Sequence, residues 1–237
     1  MYKYETHMHT SEVSPCARST AAEQVKAYKE NGYTGIIVTD HFPTNHHRFP
    51  SWAKKIEFLL SGYETAKKEG EKIGLDVFFG WEYRIYGSDF LTYGLSLDFL
   101  LANPKIEEMD IKRYCELIRG NGGFVVQAHP FREGGWIPHP FPTNPQYIDG
   151  IEVFNASILD EENQKAVEFA KKNDLPMQAG SDAHDAQWPF LSGVTLKSKA
   201  TDIFDIITAI KTKQAELILP VNNVFINGMA FPDKHNN

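Results

Sequence analysis

Short apolar runs alternate with helical patterns along most of this chain of 237 residues. The runs are typical of buried parallel strands and cover residues 35–39, 75–82, 124–128, 148–154 and 176–180. Helical spacing lies between them, as at residues 52–73, 107–119 and 160–172. This alternation predicts a parallel sheet, and about seven such units in a single domain favour a closed β/α barrel. No glycine-rich nucleotide fingerprint follows the first strand, which disfavours a Rossmann-type sheet.

His7 and His9 lie two residues apart in the first predicted strand. Side chains at positions i and i+2 of a strand point to the same face, so both imidazoles can reach one point. Such a pair is a natural start of a metal site, although a single pair is more often structural. Its interpretation therefore depends on which other ligands the fold brings to the same place.

Imidazole and carboxylate groups also follow the carboxyl ends of the other predicted strands. In a β/α barrel these ends share one rim, where active sites are built. Taken singly, Asp40 and Asp182 suit capping, and Glu82 suits an ion pair with Arg84. Those explanations do not account for the fact that several segments place imidazole or carboxylate groups at the same rim. Together these segments predict a metal site. The segments carry His7 with His9, Asp40 with His41, Glu82, His129, Glu152 with Asn155, and Asp182 with His184.

Several motifs, in this order, resemble those of the PHP (polymerase and histidinol phosphatase) family. They are His7-Met8-His9-Thr10, Thr39-Asp40-His41, Glu82, Ala128-His129-Pro130 and Gly180-Ser181-Asp182-Ala183-His184. The resemblance spans nearly the whole chain, and residues 1–237 are expected to form one domain. It implies an α/β fold, a distorted TIM-like (β/α)7 barrel, that holds two or three divalent metal ions and hydrolyses phosphoesters.

The resemblance also implies a role for each matching residue. Glu82, Asp182 and His129 are the expected catalytic residues, and Glu82 is expected to bridge two ions. The expected ligands are His7, His9, Glu82 and Asp182 for a first ion, Glu82 and His129 for a second, and His41 and His184 for a third.

Two positions depart from the family pattern. A histidine often follows the position of Glu82, but residues 89–95 contain none. The second ion is therefore expected to have fewer protein ligands, or to be completed by water or substrate. The ligand that usually follows the His-x-His motif is also not obvious. Glu12 is the first candidate, because a carboxylate on this short loop can reach the rim, and Cys16 is a weaker one.

Metal chemistry predicts the reaction. Two close divalent ions lower the pKa of a shared water and supply a metal-bridging hydroxide that attacks phosphorus. Arg18 and Arg132 closely follow ligand segments and are expected to bind the substrate phosphate. His46 and His139, in two long loops, are weaker candidates for a general acid. Histidine with carboxylate suits Zn, Mn or Fe.

The expected function is hydrolysis of a small phosphorylated metabolite, as in a histidinol phosphatase. A phosphotyrosine-protein phosphatase, a nucleotide phosphoesterase and a non-catalytic metal-binding regulatory domain remain alternatives. An amidohydrolase-type barrel, which also opens with His-x-His, is disfavoured because Glu82 stands where that class usually has a bridging lysine or its equivalent.

Composition limits the partners. The formal net charge of -7 and the lack of a long Lys/Arg run disfavour binding to long nucleic acid. Cys16 and Cys115 are too few for a disulfide framework. The sequence shows neither a signal peptide nor an apolar run of membrane-helix length, so a cytoplasmic protein without membrane contact is expected. The oligomeric state is not predicted.

Overall fold

A mixed β-sheet forms the centre of the fold in the computed structural model, which describes residues 1–43, 48–134, 141–220, 225–226 and 229–230. Its strands are β1 (Tyr2–Met8), β2 (Gly35–Val38), β3 (Asp76–Ile85), β4 (Ser88–Tyr93), β5 (Phe124–Gln127), β6 (Gly150–Asn155), β7 (Met177–Gly180), β8 (Gly193–Leu196) and β9 (Glu216–Ile218). Two short strands, β10 (Phe225–Ile226) and β11 (Met229–Ala230), pair with each other.

The strands follow the spatial order β7-β6-β5-β4-β3-β2-β1-β8-β9. Two parallel groups, β1-β2-β3 and β5-β6-β7, flank β4, which is antiparallel to both of its neighbours. The end of β1 also meets the segment after β7, because Asp182 N donates to His7 O at 2.8 Å and His9 N donates to Ala183 O at 3.0 Å. These bonds bring the sheet close to closure, and the predicted α/β distorted barrel is confirmed.

Six α-helices connect the strands of the described chain. They are α1 (Ala21–Glu30), α2 (Trp52–Ile73), α3 (Leu97–Ala102), α4 (Ile111–Gly120), α5 (Asp160–Lys172) and α6 (Ile203–Lys211), with a 3-10 helix at Ile106–Glu108. Thr20 and Glu23 form the capping box that begins α1. Ser51 caps α2, which ends at Gly74 with a left-handed φ of 72°. Local sequence therefore sets these helix ends.

The strands that carry the site are buried. Every residue of β2, β5 and β6 is buried, as expected for strands covered on both faces. Large side chains such as Trp81, Tyr114 and Phe154 fill the core, and each contributes roughly 1.5–3 kcal/mol by burial. The polar residues at the strand ends thus stand on rigid elements. Within the described residues, none of the helices has the length and apolar character needed to cross a bilayer.

The mixed strand directions differ from the parallel sheet that the sequence predicts. β3 and β4 form a hairpin whose turn residues, Tyr86 and Gly87, have φ angles of 51° and 86°. Positive φ at both central residues is the geometry of a type I′ turn, for which Asn-Gly is the usual signal. The Tyr-Gly pair lacks that signal, so the hairpin is not apparent from the sequence. Similarly, α4 begins later than predicted, because Asp110 caps it through Arg113 N.

Candidate metal centre

Eight ionisable side chains converge at the carboxyl-end rim of the barrel. Six of them are buried, and His41 and His184 are partly exposed. They come from β1 and its end (His7, His9), the ends of β2 (His41), β5 (His129) and β7 (Asp182, His184), and the β3–β4 hairpin (Glu82, Asp89). Strand ends thus bring distant parts of the chain to one point, as the barrel requires.

Ligand atoms from these side chains form overlapping groups of three, within which all atoms lie within 4.8 Å of one another. The groups found in the described residues are His9, His41 and His184; His7, His9 and Glu82; His7, His129 and Asp182; and Glu82, Asp89 and His129. Glu82 lies at their centre. Its Oε1 is 3.4 Å from His7 Nε2 and 3.2 Å from His129 Nε2, and its Oε2 is 3.6 Å from His9 Nε2. One carboxylate can therefore serve two adjacent cation positions.

A second carboxylate orients His7. Glu152 Oε1 lies 2.9 Å from His7 Nδ1, and Glu152 Oε2 accepts hydrogen bonds from His129 N and Asn155 Nδ2. A carboxylate on Nδ1 favours the tautomer that carries its proton there, which leaves the Nε2 lone pair facing the cluster. Gly180 leaves room for this pair, since a Cβ there would come within 2.6 Å of Glu152 Oε1.

Asp40 orients His9 indirectly. Its carboxylate accepts hydrogen bonds from Thr10 N at 2.7 Å, from Thr10 Oγ1 at 2.6 Å and from Ser14 Oγ at 2.7 Å. Because the Ser14 hydroxyl proton is used in this way, its oxygen is free to accept from His9 Nδ1 at 3.1 Å. The Nε2 lone pair of His9 is then available to bind a cation, as for His7.

Opposite charges in the cluster shift the pKa values of Glu82 and His7. Burial raises the pKa of Glu82, but the charges of His41 and His7 outweigh it and hold this pKa well below its ordinary value. Burial lowers the pKa of His7, but Glu152, Asp182 and Glu82 together raise it well above its ordinary value. The carboxylates thus require positive charge beside them, which protonated imidazoles or a divalent cation can supply.

The donor set fits a divalent cation. Glu82 Oε2 is buried and has no hydrogen bond within the described chain, although it lies 2.6 Å from His41 Nδ1. A buried carboxylate oxygen needs positive charge beside it, which a cation would supply together with His41. His129 and Asp182 have left-handed backbone φ angles of 26° and 49°. Strain of this kind costs about 1–3 kcal/mol per residue and clusters at functional sites.

Comparison with known proteins connects this geometry to a family. A family model described as PHP-associated matches residues 160–187, which include Asp182 and His184. The fold matches a two-domain protein from Bacteroides vulgatus that contains a predicted PHP-like metal-dependent phosphoesterase. The TM-score is 0.68 at 18% identity, over 94% of this chain and 66% of that one. The family-model match supports the resemblance to the PHP family over residues 160–187. At this identity the structural likeness itself concerns the fold alone.

Two further matches limit what the PHP resemblance implies. An uncharacterized protein of Methanocaldococcus jannaschii is 29% identical over 147 residues, covering 55% of this chain and 48% of the relative. The chain thus spans about half the length of that relative. An amidohydrolase from Chromobacterium violaceum, with bound sulfate and no metal, has a TM-score of 0.59 at 14% identity, over 93% of this chain and 99% of that one. The barrel alone therefore does not identify the reaction.

Glu12, the first candidate for the loop ligand of the PHP centre, does not join the cluster. Both of its carboxylate oxygens accept a hydrogen bond from Ala21 N, at 2.9 and 3.1 Å. Ala21 is the first residue of α1, whose initial amides have no partner within the helix and attract negative charge. The structure therefore corrects the expectation for Glu12, which stabilises a helix start.

Cys16, the weaker candidate, lies beside the cluster. Cys16 and His41 line the same cavity, and the charges of His184 and His41 act on the thiol. Burial raises the pKa of the thiol, but the two imidazoles outweigh burial and lower it to about 6. A thiolate is a metal ligand, but Cys16 joins none of the groups of ligand atoms found in the described residues, so ligation by Cys16 stays a prediction.

The two predicted phosphate-binding arginines differ in position. Arg132 Nη1 lies 3.6 Å from Asp182 Oδ2, so this guanidinium borders the cluster. Arg18 is exposed, and its backbone N donates to His184 O at 2.7 Å. Its role in phosphate binding stays a prediction. His46 and His139, the general-acid candidates, lie outside the described residues.

Sequence reasoning missed two carboxylates. Asp89 lies in the segment noted for lacking a histidine, and the β3–β4 hairpin brings it to the centre. Glu5 is fully buried and accepts hydrogen bonds from His7 N, Tyr28 OH and Ser181 N, so it ties β1 to the end of β7. Its place two residues before His7 on one face of β1 was the available signal.

A cavity of about 380 Å³ opens beside the partly exposed end of the centre. Glu82, His41 and Cys16 contribute to its wall, and Arg48 and Arg84 add positive charge. The remaining lining residues are apolar or aromatic: Val13, Pro15, Phe42, Pro43, Phe49 and Phe58. The volume suits a small organic molecule with an anionic group.

Proposed function

We propose that this protein is a metal-dependent phosphoesterase that hydrolyses a small phosphorylated metabolite, as a histidinol phosphatase does. The observation that carries the proposal is the position of Glu82. Its buried carboxylate lies within 3.6 Å of the Nε2 atoms of His7, His9 and His129. This geometry suits two neighbouring cations that share one carboxylate, an arrangement used for phosphoester cleavage.

The side chains of this chain have separate tasks in the proposed reaction. His7, His9, His129 and Asp182 would hold the cations, and bound cations would lower the pKa of a water and neutralise charge on the phosphoryl oxygens. Glu152 fixes the imidazole of His7 and the backbone of His129. Preorganised groups of this kind do not have to reorient during the reaction.

Substrate charge and size follow from the surroundings. Arg132 places a guanidinium beside Asp182, where it can bind phosphate oxygens. The neighbouring cavity of about 380 Å³ accommodates a small organic group but not a polymer. The net charge of -7 also disfavours long nucleic acid. These features support a small phosphate monoester over a phosphorylated protein.

A phosphoester panel tests the proposal. Chelator-treated protein is reloaded with Zn, Mn or Fe and assayed against an aryl phosphate, histidinol phosphate, nucleotides and a phosphotyrosine peptide. We expect turnover of small monoesters that depends on added metal and is lost in His9→Ala and Asp182→Ala. Metal binding without turnover of any member would contradict the enzyme and favour a regulatory metal-binding domain. Full activity in either variant would contradict the site.

A further inference from the structure

The β3–β4 hairpin brings an unexpected carboxylate into the centre. Asp89 lies directly opposite Arg84 across the hairpin and is 3% exposed. Its Oδ2 lies 3.9 Å from His129 Nε2. Asp89, Glu82 and His129 offer ligand atoms within 4.8 Å of one another, the spacing of a cation position. The geometry therefore supplies an oxygen donor where the sequence lacks the expected histidine.

Arg84 holds Asp89 in this position. Its Nε donates to Asp89 Oδ1 at 2.7 Å and its Nη2 donates to Oδ2 at 2.8 Å. Each carboxylate oxygen has two lone pairs, so this pairing leaves Oδ2 able to bind a cation as well. Outer partners of this kind fix the orientation of a metal ligand. The arginine is thus compatible with ligation by Asp89.

The two ends of the centre offer different donors. The nitrogen-rich side (His9, His41 and His184) presents three imidazoles. The oxygen-rich side (Glu82, Asp89 and His129) presents two carboxylates and one imidazole. Imidazole and thiolate favour Zn, whereas carboxylate favours Mn and other hard cations.

We propose that Asp89 is a ligand of the second metal ion. Its carboxylate makes the preference for Mn²⁺ over Zn²⁺ greater on the oxygen-rich side than on the nitrogen-rich side. The inference rests on the proposed metal centre and concerns the composition of that centre. It predicts a mixed-metal protein, with a softer ion beside the cavity and a harder ion beside the hairpin.

Metal partition tests the proposal without any phosphoester. Chelator-treated full-length protein is equilibrated with buffered mixtures of Zn²⁺ and Mn²⁺. Bound metals are counted by mass spectrometry, and bound Mn²⁺ is identified by its paramagnetic resonance spectrum. We expect the wild-type protein to bind both metals and Asp89→His to shift the bound Mn:Zn ratio at least tenfold toward Zn. Asp89→Asn, which keeps the shape and removes the charge, should weaken the Mn²⁺ site about tenfold or more.

A cobalt spectrum tests ligation at position 89 directly. It avoids the bulk of the imidazole that Asp89→His introduces. Asp89→Cys loaded with Co²⁺ should gain a thiolate-to-cobalt absorption band relative to wild-type protein, in which Cys16 is equally present. Absence of the additional band in the folded variant would overturn ligation at position 89. An unchanged Mn:Zn ratio in Asp89→His, or wild-type Mn²⁺ affinity in Asp89→Asn, would do the same.

Arg84→Gln separates ligation from the alternative that Asp89 only anchors Arg84. If Asp89 is a ligand, Asp89→Asn weakens binding of the second ion more than Arg84→Gln does, because the arginine only orients the ligand. If Asp89 is only an anchor, both variants keep their metal and weaken binding of inorganic phosphate equally, which overturns the proposal. Failure of the phosphoesterase proposal would leave these metal measurements interpretable, because they use no substrate.

Discussion

The nitrogen-rich and oxygen-rich sides of the centre differ in exposure as well as in donors. His41 and His184 on the nitrogen-rich side are partly exposed, and His41 lines the cavity. Every ligand candidate of the oxygen-rich side, Glu82, Asp89 and His129, is at most 5% exposed. A single barrel rim can therefore offer one position that meets solvent and substrate and another that is enclosed by protein.

This difference has a structural origin. The nitrogen-rich side is built from residues that follow parallel strands, where chain ends open toward the loops. The oxygen-rich side is built partly from a tight hairpin, whose antiparallel pairing buries Asp89 against its neighbour. Glu82 lies close to His129 through Oε1 and to His9 through Oε2, so its carboxylate links the oxygen-rich and nitrogen-rich sides. Substitution of Glu82 should therefore disturb both sides at once.

Glu82→Gln should have the largest effect. The amide keeps the shape of the side chain but cannot supply a negative charge to either side. Because changes to outer partners of metal ligands already cost roughly 10–100-fold in affinity or activity, we expect loss of this bridging ligand to exceed that range. Metal counting and phosphoester turnover on the same preparation measure it, with the exposed Glu161→Gln on α5 as the matched control. Retention of both ions would contradict a bridging role.

Metal removal should have the next largest effect and should separate the two sides. An ion present at 100-fold excess over its dissociation constant stabilises the folded protein by about 2.7 kcal/mol. For a chain of this size that corresponds to roughly 5–11 °C in melting temperature. We expect chelation to proceed in two phases, with the exposed nitrogen-rich side losing its ion first. If metal counting shows that both ions leave in a single phase, exposure does not govern the release of the ions.

Glu152→Gln should have an intermediate effect, concentrated on the ions held by His7 and His129. Glu152 lies 2.9 Å from His7 Nδ1 and accepts from His129 N, whereas His9 is oriented separately through Ser14. We expect a loss of roughly 10–100-fold in affinity at the oxygen-rich side, which includes His129, and at the position that His7 contributes to, with little change at the nitrogen-rich side. Calorimetric metal titration measures both affinities. An equal loss on the two sides would indicate that the centre behaves as one unit.

The difference between the two sides also explains how much of the centre the sequence predicts. His7, His9, His41, His129, Asp182 and His184 stand at or just after the ends of apolar runs, so strand patterning alone predicts that they meet. Asp89 could not be found in this way, because its position depends on a Tyr-Gly hairpin that reverses the strand direction. Distances between side chains, such as those around Glu82, depend on packing that no local pattern records.

Glu12→Gln should have the smallest effect and tests whether a third group of ligands extends into the first loop. The Glu12 carboxylate accepts from Ala21 N at the start of α1, so its loss should cost stability and leave both sides of the centre intact. Loss of a negatively charged group at a helix start costs about 1 kcal/mol, or roughly 2–4 °C in melting temperature for a chain of this size. Thermal unfolding and metal counting together decide the matter. A lost ion would return Glu12 to the ligand set, and the melting temperature would then fall further, because the ion also stabilises the folded protein. A fall of roughly 2–4 °C with full metal content would assign Glu12 to α1 and leave Cys16 as the remaining candidate for a loop ligand.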